Sequence, residues 1–338
     1  MEKWDVHTHT VTSPETYEAL SRFTRYDDFI RVRAHAAKPC CAEMVNSKGE
    51  VQREVAPNAY DGRARIEECD KHGVTVQVLS PTPMMIPDYV EDAADAAEIC
   101  KILNDDNAAT VEKFPTRFQA LGALPLRFPD RAIAEMGRIK KLGMRGIEIN
   151  SNVDGVELDD PALFPVFEAA AEMNMAVFVH PWGGLMRREV MSRNWRAWLI
   201  GMGLETALAF DAMRSGGVHE RLPKLRVLYA HGGGAFPAML GRLNHGQACR
   251  PDLFAGASKL SPYDTVKNCG VYVDSLVHDA NVLDMLIAQL GAERVALGTD
   301  YPYPLGEIEH PGKFIEKLPA PAQTRLFSGT AKEWLGCN

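Results

Sequence analysis

No stretch of the chain approaches the roughly 18 consecutive apolar residues that a membrane-spanning helix needs. The opening Met1 to His9 is too polar for the apolar core of a secretory signal, so a cytoplasmic protein is expected. A basic excess is missing too. Lys and Arg number 37 against 45 Asp and Glu, a formal charge of −8, which argues against nucleic acid or an anionic membrane as partner and for a small molecule. There is no CxxC pair: the cysteines stand at 40, 41, 69, 100, 249, 269 and 337. An odd, scattered set reads as free thiols in a reducing compartment, and adjacent Cys40 and Cys41 have the wrong spacing for a zinc knuckle. Repeats, low-complexity tracts and an interdomain linker are also lacking, which leaves residues 1–338 as a single expected domain.

What the chain does have is enough apolar material for a large core, 46% of 338 residues with 24% charged. Short β-rich apolar runs alternate with helical patterns. The runs are Trp4–His9, Thr75–Ser80, Phe118–Leu126, Gly146–Asn150, Ala176–His180, Arg226–Ala230, Val271–Leu276 and Val295–Asp300. Helices are expected over 62–72, 91–113, 128–142 and 161–173, with Pro129 and Pro161 in their first turns. This alternation predicts the α/β class and a (β/α)8 barrel of the TIM type. Two connections are too long for simple turns: 10–60 after the first strand and 183–224 after the fifth, the latter with a helix near 201–215. In a barrel, loops after strands surround the active site.

Histidine or aspartate closes four of the runs, in Asp5-Val6-His7-Thr8-His9, Phe178-Val179-His180-Pro181, Tyr229-Ala230-His231 and Gly298-Thr299-Asp300. Residues i and i+2 of a strand face one side, so His7 and His9 can share one metal at the barrel mouth. With His180 and Asp300 they make a donor set that suits Zn²⁺ and leaves a position open for water. His231 remains as a general acid or base, since an unperturbed imidazole titrates near neutrality. Gly232-Gly233-Gly234 directly after it reads equally well as a close backbone approach to the site or as a flexible turn. His35, His72, His219, His245, His278 and His310 are taken as rim or core residues, and Asp274 and His278, though near the mouth, are not assigned a catalytic role.

These blocks, together with Gly73-Val74-Thr75-Val76-Gln77, Ala230-His231-Gly232-Gly233-Gly234-Ala235-Phe236-Pro237 and Leu297-Gly298-Thr299-Asp300-Tyr301-Pro302, occur in an order that resembles the 2-amino-3-carboxymuconate-6-semialdehyde decarboxylase family of the amidohydrolase superfamily. The likeness runs through nearly the whole chain. It implies one Zn²⁺ per subunit, or another divalent transition metal, on His7, His9, His180 and Asp300, with His231 and Asp300 catalytic. It also implies a homodimer in which Arg53 binds a substrate carboxylate from within the subunit, Arg242 reaches the partner's site, and Trp195 lines the pocket. An arginine fork can grip a carboxylate with two hydrogen bonds at any working pH. The chain departs from the family pattern at Gly183, at Tyr60-Asp61-Gly62, at Tyr303 in place of Phe and at Glu148 in place of Gln, none of them a proposed ligand.

The activity this implies is non-oxidative, metal-dependent decarboxylation of 2-amino-3-carboxymuconate 6-semialdehyde or a close analogue in aromatic-compound catabolism. His231 is expected to take a proton from activated water, and Arg53 and Arg242 to hold the substrate's carboxylates. The alternatives are a decarboxylase of a 2-hydroxy analogue or of a salicylate-type aromatic acid, and a metallohydrolase of a lactone or amide. Release of CO2 without a hydrolysed acyl product separates the last from the rest. A binding protein with a vestigial site predicts a lost metal residue, and none of the five positions is lost.

Overall fold

The computed structural model describes residues 1–254, 256 and 258–337. Eight parallel strands lie in sequential order: β1 (Trp4–Thr10), β2 (Val76–Pro81), β3 (Phe118–Ala123), β4 (Gly146–Asn150), β5 (Ala176–His180), β6 (Val227–Tyr229), β7 (Val271–Asp274) and β8 (Val295–Ala296). The first and last are joined where Val6 N–H donates to Leu297 C=O at 2.9 Å and Thr8 bridges Tyr301. The sheet thus curls into a nearly closed barrel. Every expected run contains a strand, with several ends shortened. The largest trim is at β8, where regular pairing stops at Ala296 and 297–300 continue as irregular backbone bonded to β1, Asp300 N–H donating to His7 C=O at 2.8 Å.

Two apolar layers hold the barrel. Val6, Val78, Phe178, Leu228, Tyr272 and Ala296 fill its interior, and the C-terminal segment Thr330–Leu335 plugs the bottom, with Trp334 6.3 Å from Phe178 between ring centres. The alternate residues Ile147, Ile149, Val177, Val179, Val227, Val271 and Val273 face outward onto the helices. This period-2 division is what puts Gly146, Glu148 and Asn150 of β4 on the inner side.

The longer helices are α1 (Gly62–His72), α2 (Ala93–Lys113), α3 (Pro129–Lys141), α4 (Phe164–Glu172), α5 (Met202–Ser215), α6 (Phe236–Cys249) and α7 (Ala280–Leu290). Asp61, Asp92 and Asp279 cap α1, α2 and α7 by accepting from two backbone N–H groups each, and Gly73 ends α1 in the left-handed conformation at φ 75°. The largest boundary difference from expectation is at α4, which begins at Phe164, so Pro161 lies in the preceding turn and Pro165 sits in the first helical turn instead; α2 and α3 start within two residues of the expected positions.

Neither long connection is a plain loop. Segment 10–60 carries an antiparallel sheet of Arg31–Ala34, Ala42–Val45 and Val51–Val55, in which Met44 pairs with Arg53. Phe23, Phe29, Val32 and Met44 of this segment share a core with Ile99, Cys100 and Leu103 of α2, which fixes the sheet against the barrel wall. Segment 183–224 passes through short turns at 184–187 and 189–191, then a widened helical turn at 197–201 that runs into α5. Buried Glu205 of α5 secures it, accepting from Leu185 N–H, from Ser151 Oγ at 3.0 Å and from Asn152 Nδ2 at 3.1 Å.

Candidate metal centre and its cavity

A β-bulge interrupts β1 between Asp5 and Thr8, just where the His7–His9 pair begins. A bulge re-aims the side chains that follow it. Val6 is packed inside the barrel, and His7, one residue on, contacts the interior Phe178 at 5.0 Å between ring centres. His9 then lies over the mouth beside His180, with 4.8 Å between ring centres.

Ligand atoms of His7, His9, His180 and Asp300, all buried, lie within 4.8 Å of one another, a group able to hold a metal ion. His7 Nε2 and His9 Nε2 are 3.2 Å apart, and Asp300 Oδ1 is 3.1 Å from His9 Nε2 and 3.5 Å from His7 Nε2. His180 turns Nδ1 toward Pro181 C=O at 3.1 Å, while its buried Nε2 has no hydrogen-bond partner among the described residues. Burial lowers His9 to about 4 and His180 well below its usual range. Burial also opposes charge on His7, but Asp274 and Asp300 outweigh it and raise that ring to about 10. For Asp300, burial favours the neutral acid; contacts with His231, His7 and His9 prevail and hold the carboxyl well below its usual range. Three imidazoles and one carboxylate facing a common point are donors that fit a divalent transition metal.

His231 Nε2 lies 3.6 Å from Asp300 Oδ2, and its ring centre is 4.9 Å from that of His7. His231 and Asp300 both adopt left-handed backbone conformations, φ 57° and 59°, rare for residues with side chains and concentrated at functional sites. The three glycines after His231 continue at positive φ, and a Cβ on Gly234 would stand 2.3 Å from Gly203 C=O. The close approach made by this turn is therefore to the backbone of α5.

Above the metal group opens a cavity of about 850 Å³ that reaches His9, His180 and Asp300 and is also lined by Arg53, Trp195 and Tyr303. Half-buried Arg53 stacks its guanidinium 4.8 Å from the centre of the Tyr303 ring, which lies 5.5 Å from His9. Tyr303 is itself fixed by a 2.7 Å bond between its hydroxyl and Thr82 Oγ1. Trp195, 46% exposed at φ 57°, lies 6.2 Å from Trp198 between ring centres. Arg242 is not brought to this cavity. It is exposed on α6 and does not line the cavity of its own chain.

Three residues at the site carry more of the geometry than the sequence reading gave them. Asp274, fully buried, accepts from His7 Nδ1 at 2.7 Å and from the N–H groups of His231 and Gly232 at 2.8 Å each, tying one metal-group histidine to the His231 turn. His278, its neighbour in the sequence reading, is exposed. Glu148 points inward from β4 with Oε1 3.9 Å from His9 Nδ1, and burial raises its carboxyl to about 8. Its signal was available: a carboxylate on the inner face of the otherwise apolar run Gly146-Ile147-Glu148-Ile149. Arg65, 2% exposed, donates to His9 C=O at 2.5 Å and packs 4.7 Å from the Tyr301 ring centre. Nothing in the pattern of α1 marked it out.

The amidohydrolase family profile matches residues 4–337. A 2-amino-3-carboxymuconate-6-semialdehyde decarboxylase of Dictyostelium discoideum is 41% identical over 338 residues, covering 99% of this chain and 91% of its own. The enzyme of the same name from Caenorhabditis elegans is 32% identical, with 93% and 88% covered. Among solved structures, 5-carboxyvanillate decarboxylase of Sphingomonas paucimobilis is similar at a TM-score of 0.80 and 26% identity, with 99% of both chains covered. The Novosphingobium aromaticivorans enzyme of that name, complexed with manganese and 4-hydroxy-3-methoxy-5-nitrobenzoic acid, has a TM-score of 0.81 at 22% identity, covering 99% of this chain and 96% of its own.

Proposed function

This chain belongs to the amidohydrolase family, and from that premise we propose that it is a metal-dependent carboxy-lyase acting non-oxidatively on 2-amino-3-carboxymuconate 6-semialdehyde or a close analogue. The observation that carries this reading is the convergence of four strand-end ligand atoms within 4.8 Å, beneath a cavity that also exposes Arg53. His7, His9, His180 and Asp300 are the proposed ligands, and Zn²⁺, one per subunit, is the proposed metal. The partnerless, buried Nε2 of His180 supports that set. Manganese, present in the Novosphingobium structure, is the alternative.

When bound, the cation supplies a Lewis acid and brings the acidity of water close to neutrality. The chain's own residues then have distinct tasks. His231 would accept a proton at Nε2 from a water molecule and give it to the carbon that loses its carboxylate: the C–C bond breaks, its electron pair takes up that proton, and CO2 departs. Arg53, held against Tyr303, offers two parallel N–H donors to a substrate carboxylate, and Trp195 forms part of the pocket wall. Arg242, outside its own chain's cavity, is proposed to serve the partner's site in a homodimer. The exposed Leu199, Ile200, Leu204 and Leu208 support a second copy covering the neighbouring helix, because apolar patches of this kind mark association surfaces. We read residues 1–338 as one domain and the protein as cytoplasmic; among the described residues no helix is long and apolar enough to cross a membrane.

The test is an anaerobic assay with freshly generated 2-amino-3-carboxymuconate 6-semialdehyde, following its near-ultraviolet absorbance and released CO2 for metal-loaded and chelated protein. Metal-dependent decay with CO2 supports the reading. A metal-loaded protein that leaves the compound untouched overturns the substrate. A second reading, favoured by the 26% identity to 5-carboxyvanillate decarboxylase, is an aromatic acid of the salicylate type, for which CO2 release from that acid alone is the signature.

A further inference from the structure

Two of the three histidines in the metal group have an acceptor behind them: Asp274 Oδ2 lies 2.7 Å from His7 Nδ1, and Pro181 C=O lies 3.1 Å from His180 Nδ1. His9 differs. Its Nε2 is the atom within the group, 3.2 Å from His7 Nε2 and 3.1 Å from Asp300 Oδ1, while its buried Nδ1 has no hydrogen-bond partner among the described residues. The main chain of His9 is held on both sides, N–H donating to Tyr301 C=O at 2.7 Å and C=O accepting from Arg65 at 2.5 Å. What remains to be fixed is the plane of the ring.

Across from that nitrogen stands Glu148 Oε1, 3.9 Å away. Glu148 is fully buried, its backbone set in mid-sheet between Ala123 of β3 and Phe178 of β5, and neither carboxyl oxygen has a hydrogen-bond partner among the described residues. Burial works against charge on this carboxyl and nearby Ser80 works for it, yet Ser80 Oγ donates its one proton to Thr8 C=O at 2.9 Å. A buried ring nitrogen and a buried carboxyl that face each other, both unpaired, form an uncommon and costly arrangement. A neutral imidazole that offers Nε2 to a cation carries its proton on Nδ1, and the present gap exceeds a hydrogen bond by only roughly 1 Å. We propose that Glu148 is the positioning residue of His9, accepting a hydrogen bond from Nδ1–H when the ring binds the metal, as Asp274 serves His7. A carboxylate in that place fixes both the tautomer and the ring plane of a histidine ligand. The inference rests on the proposed ligand set, and the two fail separately: a parent chain that takes up no divalent metal removes the whole centre, whereas variants that bind as the parent does remove only the role of Glu148.

The experiment uses the full-length chain and measures Zn²⁺ affinity by competition with a chromophoric chelator, and beside it the visible absorption of the Co²⁺-loaded protein, whose bands respond to the orientation of the ligands. Glu148→Met keeps the length of the side chain and removes the acceptor, whereas Glu148→Gln keeps an acceptor oxygen. The expected result is Zn²⁺ binding weakened by roughly 10- to 100-fold in Glu148→Met, with displaced Co²⁺ bands, and a smaller loss in Glu148→Gln with bands close to the parent's. Circular dichroism checks the fold, and Glu148→Leu takes the place of the methionine variant if that one fails to fold. Parent-like affinity and bands in the apolar variant, or equal losses in the apolar and glutamine variants, would overturn the proposal.

Discussion

His7 Nδ1 lies 2.7 Å from Asp274 Oδ2, and in the neutral ring, the form that binds a metal, donation there leaves the lone pair of Nε2 facing His9 and Asp300. A carboxylate behind a histidine fixes the tautomer and the ring plane, and such partners commonly matter 10- to 100-fold in metal affinity (about that range). Asp274→Asn is accordingly expected to weaken metal binding by roughly 10- to 100-fold, measured by competition with a chromophoric chelator; unchanged affinity removes Asp274 from this role. His231 makes the complementary case. It stands 3.6 Å from Asp300 without being one of the four grouped donors, so His231→Ala is expected to lower CO2 release by about 10²- to 10⁴-fold with metal content by mass spectrometry unchanged. Loss of the metal along with the activity would make it a ligand instead. The polar strand ends were legible in the sequence because a charged or imidazole side chain closing an apolar run stands out. Asp274 ends the observed strand β7 but lies inside the longer apolar run 271–276, and its bond to His7 spans 267 positions of sequence, a pairing that no local pattern encodes.

At the scale of elements, the strands were readable from their alternation, and α1 over its expected range 62–72, which the structure bounds with the Asp61 cap and Gly73. The long connections were not. Their order comes from tertiary packing of scattered side chains, as where Phe29, Val32 and Met44 meet Ile99 and Leu103 of α2. The connection after β5 depends in the same way on Glu205, 3% exposed, which collects Leu185 N–H, Ser151 Oγ and Asn152 Nδ2. Removing one acceptor from several buried donors costs about 1–3 kcal/mol. Glu205→Ala is therefore expected to lower unfolding stability by roughly that amount and Glu205→Gln by less, in urea titrations. An undiminished midpoint for the alanine variant would show that water replaces the carboxylate at no cost.

For the whole molecule, acid sensitivity follows from a group outside the metal group. His219 is buried at 1% exposure, with Nε2 2.8 Å from Tyr229 Oη, and burial lowers it from 6.5 to about 4. The unfolded chain therefore takes up the proton first: stability is unaffected by this group above about pH 6.5 and lost progressively as pH falls from there toward 4, amounting to roughly 2 kcal/mol by pH 5. Urea unfolding at pH 7 and pH 5 checks this, since His219→Gln should show a smaller loss across that interval than the parent. The barrel that such groups hold together presents one chemical claim, that four residues from β1, β5 and the segment after β8 bind a cation on which CO2 release depends. Its most direct measurement is titration of metal-stripped protein with Zn²⁺, and separately with Mn²⁺, while CO2 from 2-amino-3-carboxymuconate 6-semialdehyde is recorded. The account predicts activity rising from near zero and reaching its plateau at about one equivalent of metal per subunit, the capacity of a single site. Full CO2 release from the metal-stripped protein, or metal saturation without any CO2, would contradict it.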